Sequence, residues 1–419
     1  MSVPASDSPN PYPMVLHPHE GTPDPVDSVS SYDQAVTLLS ASSSPVAVDV
    51  ERAAGYRYSD RAYLIQIRRE DVGTFLFDPP SLLDSSQLAT GDLRALNAAL
   101  GNHLWILHSA HQDLKSLKEV GLVPPRLFDT EIAARLLGLT RFSLVAVCEQ
   151  ELGLSLAKDH QAADWSVRPL PRAWLRYAAL DVELLTALYE RLSSQLRERG
   201  RWQWAQEEFS HVLTCPAKEQ DPQRWRSTPG AGKINTPRGL AALEELWRTR
   251  EAIAADSDIA AGRLVPHRVL VQMAMHPPRN KRQLMNIEVM RKPNVRNHAK
   301  DWLEALNRAK FRPEQQLPSL KRRVDSSNTP TRPTLWKQSH PQAFARLQCI
   351  RAAVKGVCQP LGLEPEVVFE PRIQRQLAWT QVAYRGQDFQ TYLLRLGARP
   401  WQVDLCATAI ERSLRDCRS

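Results

Sequence analysis

Two short acidic patterns lie inside apolar runs of this sequence, where a solvated charge is not expected. The first is Asp49-Val50-Glu51, and the second is Asp181, which follows Tyr177 and three apolar residues. Residues two apart in an extended strand project from the same face, so Asp49 and Glu51 present two carboxylates side by side. Like charges held this close need a cation, which predicts a buried site for metal ions.

Asp181 and a further acid, Asp113, complete the acidic set. Asp181 lies on a helical stripe with Tyr177 and Leu184, so its carboxylate faces the interior and needs a partner. Asp113 follows a predicted strand and begins a helix, where acids are also common because they favour helix N-termini. Carboxylate oxygens are the ligands that Mg²⁺ or Mn²⁺ prefers. Two such ions can hold the attacking and leaving oxygens of a displacement at phosphorus, which predicts phosphodiester chemistry.

The secondary-structure patterns predict an α/β domain followed by helical ones. Residues 46–50, 62–67 and 74–77 are short apolar runs bounded by turn-forming or charged residues, and they predict an antiparallel meander. Helix and strand patterns then alternate to about Asp129, as in a mixed sheet flanked by helices. From Leu240 onward the patterns are helical.

Composition favours several domains and an anionic partner. A chain of 419 residues usually forms two or three domains, and its formal net charge of +8 favours nucleic acid. A basic protein without such a partner fits the charge equally well. The six cysteines form no C-x-x-C, so neither a zinc site nor a disulfide framework is predicted, and a reducing cytoplasm is the simplest setting. No apolar run reaches the ~18 residues of a membrane helix, so no membrane partner is expected.

Six stretches together resemble the ribonuclease D family, in the tyrosine branch of the DEDD superfamily of 3′–5′ exonucleases. They are residues 46–51, 62–67, 107–114, 128–134, 164–170 and 175–182, in the family's order. The resemblance implies a ribonuclease H-like exonuclease fold, with Asp49, Glu51, Asp113 and Asp181 as metal ligands. It also implies that Tyr177 orients the attacking water. A tyrosine pKa near ~10 makes that residue unsuitable as the proton acceptor at neutral pH.

Residues near these motifs are candidate substrate contacts. Gln66 on the second strand and His111 are expected at the edge of the cleft. Lys158, Gln161 and Arg168 belong to the segment before the last motif, where Lys158 and Arg168 are suited to backbone phosphates. The ordinary alternative is that such loop residues are solvated or hold the loop in place.

Downstream, residues 247–254, 263–266 and 277–284 resemble the HRDC domain, a small helical module that binds nucleic acid. A weak repeat aligns residues 263–274 with 367–378, which suggests a second module of the same type. The predicted segments are a disordered leader (1–30), a DEDD exonuclease domain (31–210), a linker (211–235), an HRDC domain (236–312), a second linker (313–335) and a second HRDC-like helical domain (336–419).

The resemblance implies an exoribonuclease that depends on two divalent ions, Mg²⁺ or Mn²⁺. It would trim RNA 3′ ends, such as those of tRNA precursors, and release nucleoside 5′-monophosphates. The same chemistry on DNA is an alternative, although the sequence has no G-x-x-x-x-G-K-[ST] helicase motif. A catalytically silent nucleic-acid-binding scaffold is a second alternative, and the presence of all four acids opposes it.

Overall fold

The computed structural model describes residues 11–84, 88, 91–157, 160, 162–215, 221–320, 333–380 and 386–417. The strands in these ranges are β1 (Met14–Val15), β2 (Pro25–Val26), β3 (Val46–Arg52), β4 (Ala62–Arg69), β5 (Gly73–Phe77), β6 (Leu104–Leu107), β7 (Arg126–Asp129) and β8 (Ser155–Leu156). The helices that flank them are α1 (Val29–Ser40), α2 (Arg94–Leu100), α3 (Leu114–Glu119), α4 (Thr130–Leu137), α5 (Leu144–Leu152), α6 (Arg172–Glu183), α7 (Leu185–Glu198) and α8 (Trp202–Thr214).

Two groups of helices follow. The first comprises α9 (Pro237–Asp256), α10 (Ala261–Leu264), α11 (His267–Met275), α12 (Lys281–Met285), α13 (Pro293–Arg296) and α14 (Ala299–Phe311). The second comprises α15 (Pro333–Ser339), α16 (Pro341–Cys358), α17 (Pro365–Val368), α18 (Pro371–Trp379), α19 (Gly386–Arg395) and α20 (Pro400–Asp416). None of the helices described is both long enough and apolar enough to cross a lipid bilayer.

A six-stranded mixed sheet organises the first domain, in the order β2-β5-β4-β3-β6-β7. Strands β3, β4 and β5 form the predicted antiparallel meander, whereas β6 runs parallel to β3, and β7 runs parallel to β6. The predicted mixed sheet flanked by helices is therefore confirmed. Strand β3 pairs with β6 only through Val46 and Ala47, so Asp49 and Glu51 lie beyond the end of that pairing and are paired with β4 alone.

Helices cover both faces of the sheet. On one face, Val46, Val48 and Val50 of β3 belong to the main hydrophobic core, which also includes residues of α1 and α7. On the other face, Leu64 of β4 packs with Ala178 of α6 in a smaller cluster. Side chains alternate along a strand, so Asp49 and Glu51 share the face that α6 covers.

Residues 11–30 contradict the predicted disordered leader. Strand β1 pairs in parallel with β8, and β2 pairs in parallel with β5 at the edge of the main sheet. Each of these strands has only two residues, too few for a recognisable alternation, and their partners lie far away in sequence. Residues 1–10 lie outside the described ranges.

The weak sequence repeat corresponds to a repeated order of helices. A four-residue helix precedes a nine-residue helix in both groups, as α10 and α11 in the first and as α17 and α18 in the second. A long helix comes before each pair, α9 with 20 residues and α16 with 18. The two groups are called the first and second helical modules below.

The linkers are shorter than predicted. Helix α8 continues to Thr214, and Trp225, Ala231 and Ile234 belong to the core of the first helical module. The second predicted linker ends where α15 begins at Pro333, and residues 321–332 lie outside the described ranges.

The structure also contains a disulfide, contrary to the prediction from the cysteine pattern. Cys349 of α16 is bonded to Cys417, directly after α20, with a Cα–Cα distance of 6.5 Å. The two cysteines are 68 residues apart, so no local motif marks them as a pair.

Candidate metal centre

Three carboxylates from two elements converge on one point of the exonuclease domain. Asp49 and Glu51 project from β3, and Asp181 projects from α6, which crosses the same face of the sheet. One oxygen from each residue lies within 4.8 Å of one from each of the others. Glu51 is buried, and Asp49 and Asp181 are half-buried. The two acidic patterns singled out in the sequence therefore meet in space.

Asp113 lies beside this group and is 4% exposed. It is the residue directly before α3, where the sequence predicted the start of a helix. Its Oδ1 forms an ion pair with Nη2 of Arg52 at 3.2 Å. Strict alternation along β3 would turn Arg52 away from the face of Glu51. The β3–β4 pairing shifts register between these two residues, however, and such an irregularity can redirect a side chain.

Burial and mutual repulsion raise the pKa values of these carboxyls. Burial raises the pKa of Asp49 to about 6, while a hydrogen bond from the amide of Val50 and the charge of Arg52 act in the opposite direction. Burial and the charge of Asp49 raise the pKa of Asp113 to about 8. The pKa of Glu51 and that of Asp181 are also raised, chiefly by burial and then by neighbouring acids.

A group of acids that retains protons in this way has too little positive charge around it. Arg52 is the only basic residue that lowers the pKa values of Asp49, Glu51 and Asp113 among their described neighbours. A hard divalent cation bound by carboxylate oxygens would supply the missing charge. The donor set therefore fits Mg²⁺ or Mn²⁺.

Tyr177 lies one helical turn before Asp181, and its hydroxyl is hydrogen-bonded to that carboxylate. Only 7% of the residue is exposed, and its ring packs near those of Trp165 and His160, with centroids 6.3 Å away in each case. Burial, followed by the charges of Asp181 and Glu51, raises the tyrosine pKa well above its usual value. The hydroxyl is consequently neutral at physiological pH and can act as a hydrogen-bond donor.

A small cavity of about 130 Å³ adjoins Tyr177. Its lining includes His17 from the N-terminal segment and Arg176 from α6. Sequence reasoning missed this contribution because residues 1–30 were assigned to a disordered leader.

The predicted substrate contacts differ in their surroundings. Gln66 lies directly opposite Asp49 in the β3–β4 pairing, is completely buried, and has no hydrogen-bond partner for its amide among the described residues. His111 is exposed in a short turn before Asp113. Lys158 and Gln161 lie outside the described residues.

Arg168 holds its loop in place, which is the alternative to the predicted phosphate contact. Its guanidinium donates to both carboxylate oxygens of Asp78, at 2.7 and 2.9 Å, and to the carbonyl oxygens of Tyr63, Trp165 and Val167. These bonds tie the loop before α6 to the sheet. With its donors engaged in this way, Arg168 is not available to bind phosphate.

Three family models match successive parts of the chain. One described as a 3′–5′ exonuclease covers residues 26–197, and one described as the HRDC domain covers residues 239–306. A third, described as a 3′ to 5′ exonuclease C-terminal domain, covers residues 329–414, the segment for which the sequence predicted a second HRDC-like domain.

Curated relatives and solved structures agree with these matches. Ribonuclease D of Haemophilus influenzae is 29% identical over 86% of this chain and 86% of its own length. Ribonuclease D of Pseudomonas paraeruginosa is 28% identical over 74% of this chain and 77% of its own length. A protein of known structure from Bifidobacterium adolescentis is 35% identical, with a TM-score of 0.86 over 96% of this chain and all of that one.

Escherichia coli RNase D has the same fold, with a TM-score of 0.66 at 22% identity over 94% of this chain and 98% of that chain. The acidic cluster on β3 and α6, the HRDC match and the ribonuclease D relatives all lead to one assignment. The chain is a ribonuclease D-like 3′–5′ exoribonuclease.

Proposed function

We propose that this protein removes nucleotides one at a time from RNA 3′ ends and releases nucleoside 5′-monophosphates, using two divalent ions, Mg²⁺ or Mn²⁺. The observation that carries the proposal is the convergence of the carboxylates of Asp49, Glu51 and Asp181 within 4.8 Å. The substrate class is structured RNA such as tRNA precursors, and the compartment is the cytoplasm. Escherichia coli RNase D is described as an exoribonuclease involved in structured RNA processing, which supports this substrate class.

The four acids are the metal ligands in this proposal. Asp49, Glu51 and Asp181 are close enough for oxygens of all three to share one ion, and Asp113 lies next to Asp49 to complete the second site. When bound, the ions acidify the attacking water and stabilise the leaving oxygen. The raised pKa values of Asp113 and Glu51 support this assignment, because ligands that are hard to ionise alone are stabilised as anions by a cation.

Tyr177 orients the attacking water. Its hydroxyl interacts with the carboxylate of Asp181, which helps to raise the tyrosine pKa, and its ring lies 6.3 Å from that of Trp165, centroid to centroid. Gln66, buried opposite Asp49 without a partner for its amide among the described residues, is proposed to face bound substrate or water. His111 and, in the same role, Lys158 and Gln161 remain candidates for contacts to the RNA backbone.

The first helical module offers a surface for the rest of the RNA. It contains a cavity of about 460 Å³ whose lining includes Met275, Arg279 and Lys310. The adjacent Phe311 is 74% exposed. Cationic side chains beside an exposed aromatic ring are typical of single-strand binding, in which phosphates pair with the charges and a base stacks on the ring.

The central test is digestion of a 3′-extended single-stranded RNA by the purified protein. With Mg²⁺ or Mn²⁺ we expect shortening by one nucleotide at a time, with 5′-monophosphates as products and complete inhibition by EDTA. Asp49→Ala should abolish activity, and Tyr177→Phe should lower kcat sharply while RNA affinity stays near that of the wild type. Glu190→Gln is the control, because Glu190 is an exposed acid of α7, the helix that follows α6, and lies outside the cluster.

Digestion of RNA by Asp49→Ala at the wild-type rate would show that the metal-site assignment is wrong. An inactive Glu190→Gln protein would show that the assay reports general damage to the fold and not loss of a ligand. Digestion of DNA and RNA oligonucleotides of one sequence tests the substrate class, since only RNA offers a 2′-hydroxyl. Faster digestion of the DNA would contradict the proposal.

A further inference from the structure

The segment that follows strand β3, residues 53–61, is the point at which the first helical module meets the exonuclease domain. Asp258, two residues after α9, accepts hydrogen bonds on Oδ1 from the amides of Tyr58 (3.1 Å) and Ser59 (2.9 Å). Its Oδ2 accepts one from the hydroxyl of Tyr63 on β4 at 3.2 Å. A single carboxylate of the module therefore holds the end of the segment and the strand that follows it.

A second group of contacts holds the beginning of the same segment. Arg263 donates from Nε to the carbonyl oxygen of Gly55 at 2.6 Å, and its guanidinium lies 3.8 Å from the centre of the Tyr56 ring. The amide of Ala260 donates to the carbonyl oxygen of Tyr56 at 2.9 Å. Stacking of a guanidinium on an aromatic ring adds to the hydrogen bond.

The backbone at Asp258 has a conformation that is uncommon for residues other than glycine. Its φ of 46° lies in the left-handed region, which an L-residue with a side chain adopts at a cost. Aspartate is among the residues that tolerate this conformation best. The turn after α9 directs the carboxylate toward the exonuclease domain, and the hydrogen bonds described above offset the strain.

On its other side, the segment contacts the elements that carry the catalytic acids. It begins directly after Arg52, the last residue of β3. Arg57 donates from Nε to Oγ of Ser166 at 2.8 Å, in the loop that leads into α6. Asp60 accepts from Nζ of Lys115 at 3.3 Å, in the helix that begins directly after Asp113. The segment thus contacts β3, the approach to α6 and α3.

We propose that the first helical module is a positioning element of the active site, with Asp258 and Arg263 as positioning residues. By holding residues 53–61, they set the relative placement of β3, α6 and the start of α3, where Asp49, Glu51, Asp181 and Asp113 lie. The proposal rests on the metal-dependent exonuclease function described above. It differs from the expected role of the module, which was to grip RNA: the module also acts on the chemical step.

The size of the effect follows from the geometry of catalysis. Reacting groups must be aligned closely, and a displacement of about 1 Å can cost as much as ~10²-fold in rate. Loss of one contact leaves the others in place, so one substitution is expected to lower kcat roughly tenfold. Metal affinity falls as well, because its ligands come from all three elements.

The experiment uses the full chain with Asp258→Ala and Arg263→Gln as separate variants. Asp258→Asn retains an oxygen that can accept from the two amides, so it should recover most of the lost activity. Asp256→Ala is the matched control: Asp256 ends α9, two residues away, and is exposed. Each protein is assayed on a four-nucleotide RNA and on a thirty-nucleotide RNA, and Mn²⁺ affinity is measured by electron paramagnetic resonance.

We expect kcat on both RNAs to fall roughly tenfold in Asp258→Ala and Arg263→Gln, with KM within about twofold of wild type and weaker Mn²⁺ binding. Asp256→Ala should match the wild type. The proposal is overturned if kcat on the four-nucleotide RNA or Mn²⁺ affinity stays within twofold of wild type in both variants. A higher KM confined to the longer RNA would show that the contact serves binding alone.

The exonuclease function and the positioning role of the first helical module are contradicted by different results. An inactive wild-type protein, or an active Asp49→Ala protein, removes the proposed function itself. An active wild type with unaffected Asp258→Ala and Arg263→Gln variants leaves that function in place and removes only the positioning role. Two separate variants guard against misfolding of either one, and each is compared with wild type by circular dichroism before assay.

Discussion

The two helical modules have the same order of helices at their start, yet they join the exonuclease domain in different ways. The second module shares one continuous hydrophobic core with the exonuclease sheet, including Ile350 and Ile410 together with Val46 of β3. The first module has a core of its own, which includes Leu243 and Trp302. It reaches the exonuclease domain through contacts at residues 53–61 and at Tyr63 of β4, which are hydrogen bonds and one stacked guanidinium.

The junction of the second module is built on helix α8. The rings of Trp204 and Trp401 stack with centroids 4.9 Å apart, and the Trp401 indole donates to Glu208 at 2.8 Å. Arg399 is 9% exposed and pairs with Glu208 and with Glu370, at 2.7 Å in each case. A junction of this kind couples the folding of the two parts, because unfolding one exposes apolar surface of the other.

The two junctions differ in what they contribute: the second mainly stabilises the fold, and the first lies next to the catalytic groups. The second module contributes apolar area that the exonuclease domain needs, and its Trp401–Trp204 junction lies on α8, outside β3, α3 and α6. The first module has a separate core, and its polar contacts with the exonuclease domain lie next to the metal ligands. Substitutions in the first junction should therefore change rates, and substitutions in the second should change stability.

The largest effect is expected from Trp401→Ala. The side chain is 2% exposed, and truncation of a buried tryptophan costs about 3–5 kcal/mol. The transition of the exonuclease domain should shift with that of the second module, as measured by calorimetry. Trp302→Ala, which removes an equally buried tryptophan from the core of the first module, is the matched variant.

We expect Trp302→Ala to lower a separate transition and to leave that of the exonuclease domain in place. A single transition shifted equally by both substitutions would contradict the distinction between a shared and an independent core. It would show instead that the polar junction at Asp258 couples the first module as tightly as the apolar junction couples the second.

The acidic cluster makes stability depend on pH in the part of the chain that contains the metal site. Without metal, the folded protein holds protons on Asp49 and Asp113, whose pKa values are raised to about 6 and about 8. The unfolded chain releases these protons near pH ~4. Stability in EDTA should therefore fall as the pH rises from about 4 to about 8, by up to about 1.4 kcal/mol per pH unit for each such carboxyl.

Excess Mg²⁺ should reverse this loss, most strongly at the alkaline end, because bound metal stabilises the ionised carboxylates. The transition of the first module should not respond to Mg²⁺, since its core contains none of the four acids. Thermal melts with EDTA or Mg²⁺ between pH 5 and pH 9 measure both effects. A melting temperature in EDTA that rises with pH would contradict the raised pKa values.

Sequence patterns predicted the parts of the site that depend on local periodicity. Alternation in a strand predicts that Asp49 and Glu51 are paired, and a helical stripe predicts a buried Asp181; each prediction needs only a few neighbouring residues. The role of Tyr177 comes from the family resemblance instead. The mixed sheet was predicted in the same way, because its central strands are four or more residues long.

The missed features depend on distant contacts or on irregular backbone. Arg52 reaches Asp113 where the β3–β4 register shifts, and no residue pattern announces such a shift. Arg168 was assigned to phosphate because its partner Asp78 is 90 residues away. The N-terminal strands pair with β5 and β8, and two-residue strands carry no periodicity of their own.

The smallest expected effect on stability comes from Asp258→Ala. The free energy of unfolding should change by less than about 1 kcal/mol, because the residue is half-exposed and lies outside both main cores. The substitution should have a larger effect on local amide exchange. The amides of Tyr58 and Ser59 donate to this carboxylate, so both should exchange with solvent faster in the variant.

Hydrogen exchange read by mass spectrometry on a peptide spanning residues 53–61 measures this change, with Asp256→Ala as the control. Faster exchange in Asp258→Ala alone, at an unchanged melting temperature, would place the first junction among local contacts that organise a site without contributing much to global stability. Equal exchange in all three proteins would show that residues 53–61 hold their conformation without the module, and the contrast between the two junctions would then rest on their cores alone.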